Sequence, residues 1–268
     1  MRQIAFAIGM LLTSAAGAGP AAQTWNEPTT GMPFIAVPKG CFQMGTAKPV
    51  PPPADSHWEQ IGFKKSISEN ERPQHEVCVD AFWMGKFEVR IKEWQQIMQT
   101  KLASGADKDI PVAQVTWTQA RSFAEQLSVR SGGKHRFRLP TEAEWEYACR
   151  AGQKDDADTA PDRDRLNKLA WYQYRSPKPT TVGTLEANAF GLHDMQGNVW
   201  EWVSDGYLAD GYARHTLFNP RVETDGGQRV IRGGSFRTEL EQTRCAKRGH
   251  YPAGEGLDTI GIRLVREQ

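Results

Sequence analysis

A short segment near the C-terminal end of the chain carries side chains that could do acid–base chemistry. Ser235, Arg237 and Glu239 follow a Gly-Gly turn, and His250 lies further along. A glutamate or a histidine can act as a general base, and an arginine can hold an anionic group. The alternative is an exposed polar loop without catalytic function. The catalytic hypothesis requires that these side chains meet in one groove.

A second polar segment, DMQGNVWE, has the composition of a calcium site. Asp194 and Glu201 bring two carboxylates to one loop, and the main-chain oxygens of Gly197 and Val199 lie between them. Calcium takes about six to eight hard oxygen ligands and accepts a mixture of carboxylate, carbonyl and water. We therefore predict a bound calcium ion with a structural role. The alternative is that the two acidic residues only cap a turn.

The four cysteines of the chain are Cys41, Cys78, Cys149 and Cys245. No two of them stand at the CxxC spacing of a redox motif or a zinc site. An even number in an exported chain favours two disulfides, and the residues alone leave the pairing open. Cationic residues flank Cys245 and favour the thiolate form, so a reactive thiolate is the alternative at that position.

The N-terminus has the pattern of a secretory signal peptide. A positive start at Arg2 precedes the apolar run Ile4–Leu12, and Ala16–Ala18 provides the small residues of a cleavage site. The apolar run is too short to cross about 30 Å of hydrocarbon as an anchor. We predict a signal peptide over residues 1–18, a flexible segment over 19–30, and a periplasmic or secreted mature protein, because disulfides persist there.

Composition places the mature chain among loop-rich globular domains. Nine tryptophans accompany 25 glycines, a mixture that suggests large aromatic side chains filling gaps between irregular segments. The formal net charge is +1, and no basic block stands out. Nucleic-acid binding needs a concentrated basic face and is not expected. Stable membrane insertion after signal cleavage is not expected either, and we predict a monomer.

Local patterns predict the elements that must position these residues. Strand patterns occupy Pro33–Met44 and Val77–Val89, and a proline-rich surface loop between them extends to about Arg72. Helices are predicted after the capping boxes that begin at Thr116 and Thr141. Helices come early in this pattern, and short strands with long loops come late. The order indicates one α+β domain.

Five motifs follow one another along the chain. They are RLPTEAEWEYACRAG (138–152), NAFGLHDMQGNVWEWVSD (188–205), RVIRGGSF (229–236), RCAKR (244–248) and IGIRLV (260–265). Together they resemble the formylglycine-generating-enzyme family, also called sulfatase-modifying factors. The resemblance implies a C-type-lectin-like fold with little regular secondary structure, and it assigns residues 31–268 to that domain.

Oxidase members of that family use two cysteines, a few residues beyond the Gly-Gly-Ser turn, to hold copper and to engage the substrate thiol. Thr238 stands at the position of the first, and the shorter loop leaves no counterpart for the second. Because Cu(I) prefers soft thiolate ligands, a hydroxyl cannot replace them. The resemblance implies that Cys245 pairs with Cys149, which leaves Cys41 for Cys78. We therefore predict no copper and no formylglycine-generating activity.

The resemblance also implies roles for the candidate site residues. The DMQGNVWE segment matches one of the family's two calcium sites, and no clear counterpart of the other is present. Ser235 matches an active-site serine of the oxidase members. Trp200, Arg248 and His250 would line the family's groove. The loop that replaces the copper cysteines carries the arginine and the glutamate described above.

Two functional hypotheses follow from the resemblance. The first is an exported maturation or modification factor that acts on a peptide, a siderophore precursor or a metalloenzyme client. The alternative is a non-catalytic C-type-lectin-like module that binds a protein or glycan partner. Fold alone does not decide between them, because one fold hosts many functions.

Overall fold

The computed structural model of the protein describes residues 23–47, 68–100, 107–152 and 162–268. The predicted signal peptide, residues 1–18, lies outside the described residues. Within these ranges the chain forms four α-helices. Their bounds are α1 Ile91–Met98, α2 Trp117–Arg130, α3 Glu142–Arg150 and α4 Arg163–Leu169.

The two predicted capping boxes are confirmed at the starts of α2 and α3. Thr116 accepts a hydrogen bond from the main-chain N–H of Gln119, and Thr141 accepts one from that of Glu144. Because the first N–H groups of a helix have no partner inside it, these bonds fix where each helix begins. Every residue of α3 is buried. This helix therefore carries several charged side chains into the core.

The described residues also contain short β-strands, of which the longest has seven residues. Their bounds are β1 Thr24–Asn26, β2 Pro33–Val37, β3 Gly40–Met44, β4 His75–Val79, β5 Phe82–Gly85, β6 Phe137–Arg138, β7 Ala170–Trp171, β8 Gln196–Gly197, β9 Trp200–Gly206, β10 Gln228–Arg232, β11 Arg248–Pro252, β12 Ile260–Ile262 and β13 Val265–Arg266. Short 3-10 helices span Glu69–Glu71, Gly211–Arg214 and Leu240–Gln242. The architecture is α+β, as predicted.

Two sheets form the framework of the domain. The larger has the strand order β1-β2-β5-β13-β6, and the second has the order β11-β10-β9-β12. The pairs β3–β4 and β7–β8 form small separate sheets. β12 runs parallel to β9, whereas β13 runs antiparallel to both β5 and β6. Residues 260–266 therefore contribute a strand to each of the two sheets.

Tryptophan side chains connect segments that lie far apart in sequence. Trp145 and Trp202 are fully buried. The Trp202 indole donates to the carbonyl of Val115 at 2.9 Å, and the Trp117 indole donates to that of Val203 at 2.8 Å. Each ring thus fills core volume and satisfies a main-chain acceptor. The role that composition suggested for tryptophan is confirmed.

All four cysteines form disulfides in the pairing that the resemblance implied. Cys41 joins Cys78 across β3 and β4, and Cys149 near the end of α3 joins Cys245. Since the chain has four cysteines, no thiol remains free. The alternative of a reactive thiolate at Cys245 is therefore wrong. Two disulfides are typical of proteins from oxidising compartments.

No helix in the described ranges combines the length and the apolar character that a membrane span needs.

The prediction of a flexible segment over residues 19–30 is wrong for residues 23–30, the part of it that the structure describes. β1 pairs with β2, and the ring of Trp25 lies 5.7 Å from that of Phe34 and 6.2 Å from that of Phe137. The guanidinium of Arg266 lies over the same indole at 4.4 Å. Burial of one large aromatic ring offsets the entropy lost when a short segment becomes ordered.

The predicted surface loop that extends to about Arg72 does not stay on the surface over its whole length. Its last part enters the core. Glu71 is fully buried, and Arg244 donates to its two oxygens at 2.7 and 2.9 Å. The hydroxyl of Thr46 donates to the same carboxylate at 2.7 Å. A buried carboxylate requires such partners because leaving water without them is costly. This ion pair attaches the loop end to the segment that precedes Cys245.

Candidate functional site

Three buried carboxylates and one arginine form an acidic cluster, defined by Glu88, Asp194, Glu201 and Arg263. Each of the four side chains is at most 2% exposed. Arg263 donates from Nη2 to Glu201 Oε1 at 2.8 Å and from Nε to Glu201 Oε2 at 3.1 Å. The indole of Trp145 donates to Glu201 Oε2 at 2.6 Å. Protein donors therefore occupy both oxygens of Glu201, one of the predicted calcium ligands.

Burial changes the protonation of the acidic cluster. Desolvation, followed by the charges of Asp194 and Glu201, raises the pKa of Glu88 well above its ordinary value. Desolvation also raises the pKa of Asp194, to about 6. When every group is ionised, three carboxylates face one guanidinium, which leaves an excess of two negative charges. One divalent cation would neutralise that excess.

The main chain beside the acidic cluster has an unusual shape. Asp194, Gly197 and Asn198 have φ angles of 55°, 89° and 56°. A Cβ atom at Gly197 would lie 2.1 Å from the carbonyl oxygen of Trp171, so only glycine fits there. Asn198 Nδ2 donates to Glu88 Oε2 at 2.8 Å. The DMQGNVWE segment is therefore held in place by a neighbouring carboxylate and a close main-chain approach.

The acidic cluster fits a calcium ion in its charge and in one ligand. Asp194 Oδ2 accepts the N–H of Gly183 at 2.6 Å, whereas the buried Oδ1 has no hydrogen-bond partner among the described residues. A buried carboxylate oxygen of this kind is an available cation ligand. The described ranges contain no group of three acidic, histidine or cysteine side chains arranged for a metal. A calcium ion would therefore need the carbonyls of Gly197 and Val199 as well.

Ser235, the predicted active-site serine, closes a turn and is 1% exposed. Its N–H donates to Thr238 Oγ1 at 2.8 Å, and its own Oγ accepts the N–H of Arg237 at 3.2 Å. The two hydroxyl oxygens lie 3.3 Å apart. In this conformation the serine shapes the loop that carries Arg237. It does not present its hydroxyl to solvent.

Arg237 and Glu239, two of the acid–base candidates, have separate partners. Arg237 Nη2 pairs with Asp258 Oδ2 at 2.7 Å, and both side chains are more than half exposed. Glu239 Oε2 accepts a hydrogen bond from Gln242 at 3.3 Å. The main-chain oxygen of Glu239 also accepts the hydroxyl of Thr243 at 2.9 Å. The structure therefore does not join this arginine and this glutamate into one catalytic pair.

His250 is exposed on β11 and takes part in a third set of contacts. Its ring stacks on that of Tyr207, with the centroids 3.9 Å apart, and its Nδ1 lies 3.1 Å from Gln228 Oε1. Desolvation, with a smaller contribution from the charge of Arg248, lowers the pKa of His250. No hydrogen bond among the described residues connects this ring to the Ser235 turn.

The other two groove candidates lie against the core. Arg248 is 1% exposed, and its Nε and Nη2 donate to the two oxygens of the buried Glu142 at 2.6 and 2.9 Å. The expectation that Arg248 lines a groove is therefore corrected, because this buried carboxylate needs its charge. Trp200 is partly buried and packs against the hydrophobic core that contains Trp202 and Ile231.

An open groove lies beside the Ser235 turn, between residues 173–177 and residues 236–237, and it encloses about 620 Å³. The N–H of Gln173 donates to the carbonyl of Thr238 at 2.8 Å and so ties the two walls together. A volume of this size suits a small molecule or a segment of a peptide. The lining residues are Gln173, Tyr174, Arg175, Ser176, Pro177, Phe236 and Arg237.

Residues 20–268 match the family model described as the sulfatase-modifying factor enzyme 1-like domain. The chain belongs to this family. Because the match covers almost the whole chain, the family domain contains both sheets, the acidic cluster and the open groove.

Two relatives and one solved structure illustrate the similarity within the sulfatase-modifying factor family. The formylglycine-generating enzyme of Bos taurus is 24% identical over 318 residues, which cover 92% of this chain and 78% of that protein. Chaperone protein LppX of Paenibacillus barcinonensis is 25% identical over 251 residues, covering 75% of this chain and 85% of that protein. PvdO from Pseudomonas aeruginosa matches with a TM-score of 0.75 at 24% identity, over 94% of this chain and 100% of that one. This likeness supports the C-type-lectin-like fold that the motifs implied.

Sequence patterns did not predict several important residues of this sulfatase-modifying factor domain. Glu88, which follows β5, and Arg263, which lies between β12 and β13, complete the acidic cluster from segments far apart in sequence. A charged residue inside an apolar run was the available signal, because such a residue is buried only when it is paired. Tyr174 and Arg175 line the open groove from a segment that belongs to none of the five motifs. No pattern in the sequence singled them out.

Proposed function

We propose that this protein is an exported maturation or modification factor that binds its client in the open groove. The observation that carries the proposal is the position of that groove, directly beside the Gly-Gly-Ser turn that precedes the copper cysteines in oxidase members of the family. Phe236 and Arg237 belong both to the loop after this turn and to the groove lining. The proposed clients are a peptide, a siderophore precursor or a metalloenzyme.

Thiol-bound copper has no place in the proposed function. Every sulfur of the four cysteines is in a disulfide. Thr238 stands where the first copper cysteine would be, and its hydroxyl oxygen accepts the N–H of Ser235. A hydroxyl group is a hard donor that does not reproduce a thiolate site for Cu(I). Formylglycine formation from a client cysteine is therefore not part of the proposal.

A structural calcium ion at the acidic cluster is part of the proposal. Asp194 Oδ1 and the carbonyls of Gly197 and Val199 would hold the ion, while Glu201 would contribute charge and remain bonded to Arg263. Two observations support this arrangement, namely the unpartnered Asp194 oxygen and the burial of three carboxylates around one arginine. The ion would supply charge neutralisation and would fix the DMQGNVWE segment.

Export to the periplasm or beyond the cell is supported by two features. One is the signal-peptide pattern at the N-terminus, and the other is the presence of two disulfides. The description of LppX as a chaperone protein supports an action on a client molecule. We propose that the mature protein acts as a monomer with one groove per chain.

The second candidate function is a non-catalytic binding module for a protein or glycan partner. One observation favours it: Arg237, Glu239 and His250 each contact different partners, so the described residues show no convergent acid–base pair. A binding module needs only the groove and its walls. A maturation factor must also change the covalent structure of its client.

Mass spectrometry of a host strain that lacks the protein would separate the two functions. Periplasmic and secreted small molecules and peptides are compared between this strain and the same strain supplied with the wild-type chain. A maturation factor predicts a precursor that accumulates in its absence and a product of different mass that returns with the chain. The Tyr174→Ala variant, which alters the groove, should not restore the product.

The matched control for that strain is Phe218→Ala, which removes another exposed aromatic ring outside the groove lining. It should restore the product as the wild type does. If no precursor and product pair appears, the maturation proposal is overturned and the binding module is favoured. If the Tyr174 variant restores the product fully, the groove is not the site of action.

A further inference from the structure

The two walls of the open groove carry cationic and aromatic side chains. Two guanidinium groups, Arg175 and Arg237, and the exposed ring of Tyr174 line a space of about 620 Å³, and the buried Phe236 forms part of its wall. No acidic residue is among the lining residues. A ligand that combines a negative charge with a flat apolar surface would match both features.

Two main-chain carbonyls and two aromatic rings hold the guanidinium of Arg175 in place. Its Nη1 donates to the carbonyls of Asn167 and Ala170, both at 2.6 Å. Its guanidinium also lies 4.9 Å from the ring of Trp171 and 5.8 Å from that of Tyr172. Among the described residues, no carboxylate lies within ion-pair distance of it. A guanidinium fixed in advance loses little entropy when it binds a carboxylate.

The second cation of the groove, Arg237, is only weakly committed to its present partner. The side chains of Arg237 and Asp258 are 61% and 56% exposed, and exposed ion pairs of this kind contribute little. The Arg237 guanidinium also lies 5.1 Å from the ring of Phe236. A ligand carboxylate could therefore join or replace Asp258 without disturbing a buried network.

Tyr174 places an aromatic ring at the groove, although its main-chain conformation favours glycine. The N–H of Arg175 donates to the carbonyl of Tyr172, which makes Tyr174 the third residue of a tight turn. Its φ is 70°, a conformation that favours glycine at this turn position. Its side chain is 95% exposed, so burial does not explain the residue. Strain of this kind at a groove points to ligand binding.

We propose that the open groove binds an aromatic carboxylate, with its ring against Tyr174 and its carboxylate on the Arg175 guanidinium. This inference rests on the proposed function, in which the groove receives the client, and it names the chemical class of the client group. The carboxylate pairs with the charge that has no acidic partner in the described chain. The aromatic ring covers the exposed tyrosine.

The probe for this site is 4-fluorobenzoate, whose fluorine signal broadens when the molecule binds the full mature chain. The wild type should broaden the signal of 4-fluorobenzoate and leave that of the uncharged 4-fluorobenzamide sharp. Cyclohexanecarboxylate, which has the charge without the aromatic ring, should compete about three- to tenfold less well than benzoate. Equal broadening of the acid and the amide would overturn the proposal.

Two groove variants and two matched controls assign the contacts. Arg175→Gln should weaken binding of 4-fluorobenzoate by about tenfold, because a charge-assisted hydrogen bond is lost. Tyr174→Ala should weaken it by about threefold or more. Arg214→Gln removes an exposed arginine outside the groove lining, and Phe218→Ala an exposed aromatic ring; both should bind as the wild type does. Equal affinity in all five proteins would contradict the assignment.

Peptide competitors distinguish a free acid from a peptide end. Acetyl-Gly-Gly-Phe with a free C-terminus should displace 4-fluorobenzoate if the carboxylate comes from a peptide, whereas its amide should not. Displacement by benzoate alone would identify a small-molecule acid. Failure of every probe, together with a normal precursor and product pair in the host, would reject the ligand class and leave the maturation function standing.

Discussion

The guanidinium of Arg263 donates to both oxygens of Glu201, at 2.8 and 3.1 Å, in a part of the core where neither side chain reaches solvent. These two residues come from strand β9 and from the segment between β12 and β13. Their pairing ties β9 to the segment that follows β12 and offsets part of the negative charge of the acidic cluster. Without the arginine, three carboxylates would share the site.

Arg263→Met should therefore lower the free energy of unfolding by about 3–5 kcal/mol, since it leaves buried carboxylates without a cation. Urea unfolding monitored by tryptophan fluorescence measures the loss. Adding Glu201→Gln to the same chain should recover part of the stability. The control Arg214→Met breaks an exposed pair and should cost less than about 1 kcal/mol. Equal effects of the two methionine variants would contradict the role of the buried pair.

Calcium should raise the melting temperature of the mature protein, and a chelator should lower it. A ligand present at about 100 times its dissociation constant stabilises the folded state by about 2.7 kcal/mol. Asp194→Asn removes a charged ligand oxygen and should abolish most of the calcium response. The exposed Asp210→Asn should keep it. A wild-type melting temperature that changes with neither calcium nor chelator would refute the proposed ion.

Asp205 should make stability depend on pH. Its carboxylate accepts the N–H groups of Glu142 and Val222 at 2.8 and 2.9 Å, yet burial, followed by the charge of Glu142, raises its pKa to about 7. A folded-state pKa above the unfolded value near 3.8 means that the folded protein holds the proton more tightly. The stabilisation is complete below about pH 4 and is lost as pH rises to about 7.

The measurement compares urea unfolding of the wild type and Asp205→Asn at four pH values between 4 and 7. The stability of the wild type relative to the variant should fall as pH rises. Asp210→Asn is the control, because a hydrogen bond from Arg214 lowers the pKa of Asp210 and so places its titration below this pH range. Its stability difference from the wild type should stay nearly constant between pH 4 and 7. A constant difference for Asp205 would show that its protonation does not couple to folding.

The two disulfides should contribute unequally to stability. Cys149 and Cys245 are separated by 96 residues, and Cys41 and Cys78 by 37. Since a longer closed loop restricts the unfolded chain more, replacing the first pair by alanine should cost about 1 kcal/mol more than replacing the second. Thiol titration of the native, unreduced wild type should detect no free sulfhydryl. One reactive thiol per chain would show that at least one of the two cross-links is not formed.

We expect the protein to be less stable with tyrosine at position 174 than with glycine. Tyr174→Gly relieves a φ of 70° and should raise the free energy of unfolding by up to about 1 kcal/mol, even though it removes a large side chain. The same protein should lose binding of 4-fluorobenzoate. Phe218→Gly, at a position without a positive φ, should instead lower stability slightly. Destabilisation by Tyr174→Gly would remove the argument from strain.

Local patterns predicted those parts of the fold that depend on neighbouring residues. The capping boxes at Thr116 and Thr141 begin helices where expected, because each bond joins residues three positions apart. The five motifs supplied the fold and the disulfide pairing through resemblance. β1 was missed because its order depends on Trp25 meeting rings from distant strands. Such contacts leave no periodic trace in the sequence.

The motifs predicted single residues of the candidate site but not the partners that the fold brings to them. Asp194 lies in a cluster of the expected composition, but its neighbours Glu88 and Arg263 come from opposite ends of the domain. Arg248 was expected in a groove because its segment resembles the family, whereas its guanidinium serves the buried Glu142. Whether a charged side chain faces a cleft or a buried partner depends on tertiary packing, which spacing along the chain does not encode.

Residues 260–266 supply β12 to one sheet and β13 to the other. Neither sheet is complete until these residues have left the ribosome, so the domain has no finished core before residue 266 has been made. A polypeptide in that state can be threaded through a narrow translocation pore. Delayed closure of the framework would suit the export that we propose for this protein.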